Sequence, residues 1–151
     1  MYINIKMNME IKPKFGIGEF TFGMKEAAVI AKLGKPDKTM KDEEDEDQLI
    51  YQYNKHKLRL TFYLEHEGRL GYIRSANPKL TFQGKPIINV PIEQIKEVTG
   101  QAIAEWEVED YDFFTTYFNE ENWFILHVEY DEVTEIELGV TFKNEEEYDW
   151  K

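Results

Sequence analysis

The feature that most constrains this chain is a strict period of two. In residues 57–64, KLRLTFYL, and again in residues 123–130, WFILHVEY, every second position is a large apolar residue of one phase. Successive side chains of a strand point to opposite faces, so such a run sets one series against a core and the other away from it. The first run is expected to turn Leu58, Leu60, Phe62 and Leu64 inward and Lys57, Arg59, Thr61 and Tyr63 outward. The second is expected to turn Phe124, Leu126, Val128 and Tyr130 inward, leaving Trp123, Ile125, His127 and Glu129 outside.

These runs recur in a larger order. MKEAAVIAKLG, from Met24, has helical apolar spacing, ends in Gly34 and is stopped by Pro36. PIEQIKEVTG begins at Pro91, where a first-turn proline is tolerated, and ends in Gly100. After the first helix come strand-like runs at 48–53, 57–64 and 69–75, and after the second at 111–118, 123–130 and 134–142. Sliding the chain by 66 positions aligns Gly34 with Gly100, Tyr51 with Tyr117, Leu60 with Leu126 and Tyr72 with Leu138. The expectation is a single α+β domain, residues 1–151, of two pseudo-repeats at about 15–80 and 81–142 with a short charged C-terminal tail. Each repeat is read as a helix and a three-stranded antiparallel meander, the helices packed on one face of the sheet.

The run FGMKEAAVIAKLGKPD with the three strands after it resembles the BLIP-like families, which include β-lactamase inhibitor proteins and outer-membrane lipoproteins of the BamE/SmpA type. The resemblance is carried by a G-M-x-x-x-x-V helix start at Gly23, Met24 and Val29 and an L-G-x-P end at Leu33, Gly34 and Pro36. It covers most of residues 15–75 and, through the repeat, 85–142. It implies a BLIP-like tandem α+β protein whose sheet face binds another protein, as in immunity proteins that neutralise bacterial toxins. The lipoproteins carry a lipidated cysteine, and this chain has no cysteine.

That absence also removes disulfides, thiolate chemistry and sulfur-based zinc sites, and it fits a cytoplasmic protein. The N-terminal stretch MYINIKMNMEIKPKFG alternates apolar and polar residues instead of forming an export signal, and no run approaches the ~20 apolar residues of a membrane helix. Charge is unevenly placed. Residues 97–142 hold thirteen Asp or Glu and no Lys or Arg, within a chain of net charge -12. Nucleic acid and anionic lipid want clustered cations and are not expected as partners; a basic protein is.

No nucleophile elbow, phosphate cradle or paired-histidine motif is present, so no catalytic residue, cofactor or metal is expected. DEEDED at 42–47 lacks the glycine and terminal glutamate of a calcium loop and reads as a solvated loop. Attention falls on WEVEDYDFFTTYFNEENW, residues 106–123, with seven aromatic rings and six carboxylates. The repeat turns Phe113, Thr115 and Tyr117 inward, and Ile136, Leu138, Val140 and Phe142 likewise. The outer face then gathers Asp112, Phe114, Phe118, Trp123, Ile125, His127, Glu129, Glu135 and Glu137. Rigid rings beside carboxylates resemble an interface hot spot. The function expected is a non-enzymatic binding protein, an immunity or inhibitor protein that occludes the basic active site or groove of a cognate toxin. The alternative is a self-associating scaffold or homodimer. An enzyme for a cationic small molecule, using Glu129 and His127, ranks behind both.

Overall fold

In the computed structural model, which describes residues 7–100 and 102–150, the alternating runs become strands of one antiparallel sheet. The first six residues of the N-terminal stretch read above lie outside the described residues. The chain begins with three two-residue strands, β1 (Ile11–Lys12), β2 (Gly16–Ile17) and β3 (Phe20–Thr21), followed by helix α1 (Glu26–Leu33). A first meander follows: β4 (Lys38–Lys41), β5 (Gln48–Tyr53), β6 (Leu58–Tyr63) and β7 (Arg69–Ser75). A small hairpin, β8 (Thr81–Phe82) and β9 (Lys85–Pro86), leads into helix α2 (Ile92–Thr99). The second meander is β10 (Glu107–Asp110), β11 (Thr115–Asn119), β12 (Phe124–Glu129) and β13 (Glu132–Gly139).

The main sheet has eight strands in the order β10-β11-β12-β13-β7-β6-β5-β4. The two meanders therefore meet through their last strands, with Leu138 opposite Ile73 and Glu137 opposite Arg74. One face carries the core. Leu58, Leu60 and Phe62 of β6, Phe124 and Leu126 of β12, and Ile136 and Leu138 of β13 are buried there. They pack with Val29 of α1, Ile92 and Ile95 of α2, and Ile17, Phe20 and Phe22 of the N-terminal strands. Burial of this apolar set drives the fold, each large side chain contributing about 1.5–3 kcal/mol.

The expected α+β class is overturned: the protein is mostly β. Each helix has only eight residues, too little to cover an eight-stranded sheet, and each half contributes four strands instead of three. The missed strands, β4 and β10, are KTMK and EVED; their charge hid them because an edge strand need not bury either face.

Several core assignments also change, each where the period of two is broken. The strand β6 ends at Tyr63, and Leu64 enters a short 3-10 turn and is exposed. A register shift between Thr61 and Phe62 accompanies burial of both Leu70 and Ile73, three apart, which sends Tyr72 to the outer face. Tyr130, at φ 50, lies in the β12–β13 turn and is 100% exposed, while Val133 takes the core place. Phe113 sits at the tip between β10 and β11 and is 87% exposed. Beyond Gly139 the consecutive residues Val140 and Thr141 are both buried, and Phe142 emerges exposed on the outer side.

On the outer face two glycines lie under rings. A Cβ at Gly71 would stand 2.3 Å from the Tyr63 ring, and one at Gly139 would stand 2.4 Å from Cδ1 of Trp123. Glycine is thus what lets each ring approach the backbone of the strand so closely. Gly139→Ala gains about 0.4–1 kcal/mol from a stiffer unfolded chain, but overpacking of this kind costs about 1–3 kcal/mol, so the steric effect wins. The variant is expected to unfold at lower denaturant with altered indole fluorescence. An unchanged midpoint would show that Trp123 is not held there.

Candidate binding face

The face opposite the core is where the chemistry collects. From β12, Ile125 and His127 point outward between Phe118 and Thr116 of β11 on one side and Glu137 and Glu135 of β13 on the other. Trp123, at φ 45, ends the β11–β12 connection with its ring edge-on to Phe118 at 5.1 Å. From β7 come Tyr72 and Arg74, opposite Gly139 and Glu137.

Glu137 is the polar centre. Its carboxylate accepts a hydrogen bond from the Tyr72 hydroxyl at 2.6 Å and contacts Nε2 of His127. Beside it the Arg74 guanidinium donates to Glu135 through Nε at 2.7 Å, with a second nitrogen on the same oxygen. Burial by itself would push the Glu137 carboxyl up. The hydrogen bonds from His127 and Tyr72 and the charge of Arg74 outweigh it and hold the group below the ordinary glutamate range. Burial, with the charge of Glu137 and its hydrogen bond, pushes the Tyr72 hydroxyl up, so it stays protonated and donating. A charged carboxylate is thereby held in place among apolar rings.

Over this centre the surface forms two hollows that share Tyr72, Trp123 and Glu137. One is a groove of 590 Å³ walled by Tyr111, Phe114, Phe118, Trp123 and Ile125, with Glu109, His127 and Glu137 as its polar members beside Thr116 and Tyr72. Tyr111 and Phe114 stack at 4.7 Å to make its rim. The other is a cleft of 410 Å³ toward the first meander, where Arg59 and Arg74 face Asp42 and Glu137. It is bounded by the C-terminal segment, which is more than a charged tail. Phe142 pairs with Tyr148 across a β-bridge and stacks on it at 4.7 Å. Tyr148 and Trp150 close on Tyr63 and His66, and Arg69 lies 5.6 Å from the Trp150 ring centre.

Of the residues expected on this face, Phe114, Phe118, Trp123, Ile125, His127 and Glu137 come together in the groove. Glu135 is on the same face but engaged by Arg74. Asp112 lies at the exposed β10–β11 tip and Glu129 at the exposed end of β12, so neither lines the groove. Sequence reasoning missed Glu109, Tyr111 and Tyr72, and it buried Phe113. The signal for the first two was the short alternation of EVEDY before the tip; nothing local marked Tyr72. In the 42–47 loop, Asp42 accepts the N–H groups of Glu44 and Asp45 at 2.8 and 3.1 Å, a turn that satisfies itself. Among the described residues no cluster of three or more His, Asp or Glu has metal-ligand geometry.

No family model and no curated protein matches the chain. Solved structures show the fold. An extracellular protein containing an SCP domain from Bacillus anthracis matches with a TM-score of 0.57 at 11% identity, over 92% of this chain and 48% of that one. A DUF4309 family protein (YjgB) from Bacillus subtilis matches at 0.51 and 14% identity, over 83% of this chain and 87% of that one. A cysteine-rich secretory protein from Staphylococcus aureus matches at 0.51 and 13%, over 86% and 46%. The chain thus spans about half the length of the first and third, and none of the three is described as BLIP-like.

The Glu137 network has a pH signature. Its folded carboxyl ionises more readily than an unfolded glutamate, so its contribution to stability is complete above the ordinary value of about 4.3 and is lost as pH falls through the lowered folded value. Glu137→Gln is expected to flatten the fall in denaturation midpoint across that acid window. Equal pH slopes for wild type and variant would remove Glu137 from this role.

Proposed function

We propose that the protein is a non-catalytic binding protein for a basic partner protein, an inhibitor or immunity protein that covers the partner's cationic surface with the outer face of its second meander. The observation that carries this is the groove, where a fixed, charged carboxylate stands beneath walls of Phe114, Phe118, Trp123 and Ile125. Rings exclude water round an incoming ammonium or guanidinium group, which strengthens its attraction to the carboxylate. Rigid aromatics also bury area at small entropic cost, and Tyr111 at the rim and Phe113 at the adjoining tip stand exposed to do so. The cation-free run 97–142 supplies a long-range field that favours encounter with a basic surface.

The neighbouring solved structures support the sheet architecture, and their extracellular and secretory descriptions remain theirs. A cysteine-free core of this kind holds in either compartment. The inhibitory form of the proposal follows from the shape of the charge: carboxylates set on a sheet face can stand where an anionic substrate would lie against the partner.

Oligolysine and oligoglutamate distinguish this reading. Oligolysine is expected to shift the NMR signals of Trp123, Phe118 and His127, more weakly at high salt, and oligoglutamate to leave them unmoved. Phe118→Ala combined with Glu109→Lys is expected to weaken oligolysine by about tenfold, roughly 1.4 kcal/mol. Equal response to both polymers, or none in the groove, would refute the assignment.

A further inference from the structure

The strand β10 ends the eight-stranded sheet, and all four of its residues are exposed. Its backbone is open in a defined way. The N–H of Tyr111 donates to the carbonyl of Phe114 at 2.8 Å, which makes these two a hydrogen-bonded pair. Such pairs alternate along an antiparallel ladder. With Glu109 opposite Thr116 and Glu107 opposite Phe118, the main-chain groups of Glu107 and Glu109 are used by β11. Those of Val108 and Asp110 therefore point away from the sheet.

Edges left this way attract other strands, and proteins discourage such pairing with charged side chains, lysine above all, with proline or with a bulge. The opposite edge, β4, follows that rule with Lys38 and Lys41. The strand β10 has no lysine, no proline and no register shift, and its charges, Glu107, Glu109 and Asp110, are all negative, so they repel another acidic strand, a second β10 included, and leave the edge open to a cationic one.

Its side chains are sorted by face. Glu107 and Glu109 lie across from Phe118 and Thr116 and so belong to the groove side, while Val108 and Asp110 lie on the other. Asp110 is occupied, accepting from the Thr115 hydroxyl at 2.8 Å. Val108 is 55% exposed. Among the described residues neither Glu107 nor Glu109 pairs with a lysine or arginine, and Glu109 accepts only from the neutral Tyr111 hydroxyl. An incoming strand thus meets carboxylate, valine and carboxylate in turn, with the apolar groove running on beside it.

We propose that an extended segment of the partner, with lysine or arginine at alternate positions and an apolar residue between them, adds to β10 as a further strand. This rests on the reading of the outer face as a surface for a basic protein. Main-chain hydrogen bonds to Val108 and Asp110 hold the segment, and alternate pockets select its side chains. A second copy's β4 has the wrong pattern: in KTMK, Lys38 shares its face with Met40 and Lys41 with Thr39, so two cations never reach the groove side together.

Three peptides of about eight residues, a length sufficient to span one strand, test the proposal on the whole protein. One alternates arginine and valine, one groups the same residues into two blocks, and one alternates but carries N-methyl groups on the edge facing β10. The alternating peptide is expected to bind about tenfold tighter than the other two and to slow amide exchange at Val108 and Asp110. Val108→Pro removes an outward N–H without touching the ladder to β11, and is expected to weaken the alternating peptide alike while leaving the signals of β11 to β13 in place. If the blocked peptide binds as tightly and the two amides stay unprotected while Trp123 and Phe118 shift, the edge proposal falls and the cationic reading stands. If no peptide shifts Trp123 or Phe118, both fall. A dimer of the free protein that Lys38→Glu dissolves would give the edge to a second copy and overturn the proposal.

Discussion

The two meanders touch in the main sheet along one ladder, β13 against β7, and the outer face depends on that junction. On the core side it is closed by Ile73, Ile136 and Leu138, all fully buried. On the other side it is clamped by polar groups reaching across it, Tyr72 to Glu137 and Arg74 to Glu135. A half-buried carboxylate is costly unless its oxygens are satisfied, and Glu137 is satisfied from both flanks, by Tyr72 of β7 and His127 of β12. The same contacts that close the seam therefore fix a negative charge in position. A ligand meeting it need not order the carboxylate first, and such preorganisation is where binding energy is saved.

The two halves of the outer face are then finished differently. Over the first meander the chain covers itself: Tyr148 and Trp150 lie on Tyr63, and Arg69 sits against Trp150. Over the second meander Phe114 rests on Tyr111 and His127 and Phe118 on Trp123, and the groove they wall stays open. Trp123 stands between the regions, edge-on to Phe118 on one side and to Phe142 on the other. An internal cover on one half and an open groove on the other is an asymmetry that the shared strand pattern of the two halves does not explain by itself; the C-terminal segment creates it.

What could be read from residues alone follows the reach of the physics involved. Alternation is local, so the inward phase of Leu58, Leu60 and Phe62 and of Phe124, Leu126 and Val128 was legible, and with it the outward place of Ile125, His127 and Glu137. It failed wherever the period stopped without a local sign. Tyr130 and Leu64 continue the pattern in sequence but follow the strand's end, and Leu70 with Ile73 keeps both residues inside only by an irregular pairing with β6. The edge strands were easily passed over because KTMK and EVED have no buried residue, and the short alternation of EVEDY carries no apolar face. The groove was legible in its members from β11 and β12, yet not in Tyr72, whose place depends on a pairing between residues more than sixty apart in the chain.

Magnitudes decide which part of the face gives strength and which gives choice. Exposed carboxylates such as those of β10 contribute about 0–1 kcal/mol each to a pair in water, and a cation-free strip of them mainly speeds encounter. Aromatic anchors in a groove carry far more when truncated, on the order of 2 kcal/mol or above. In the proposed complex, affinity would therefore reside with Phe118, Trp123 and their neighbours, and selection of cations with Glu137 and the acidic edge. Salt consequently acts on the two unequally: it screens the exposed carboxylates within about 10 Å and leaves the burial of rings almost untouched. A partner bound mainly by charge would be released as salt rises, whereas one seated on the rings would be slowed in arrival and retained once bound.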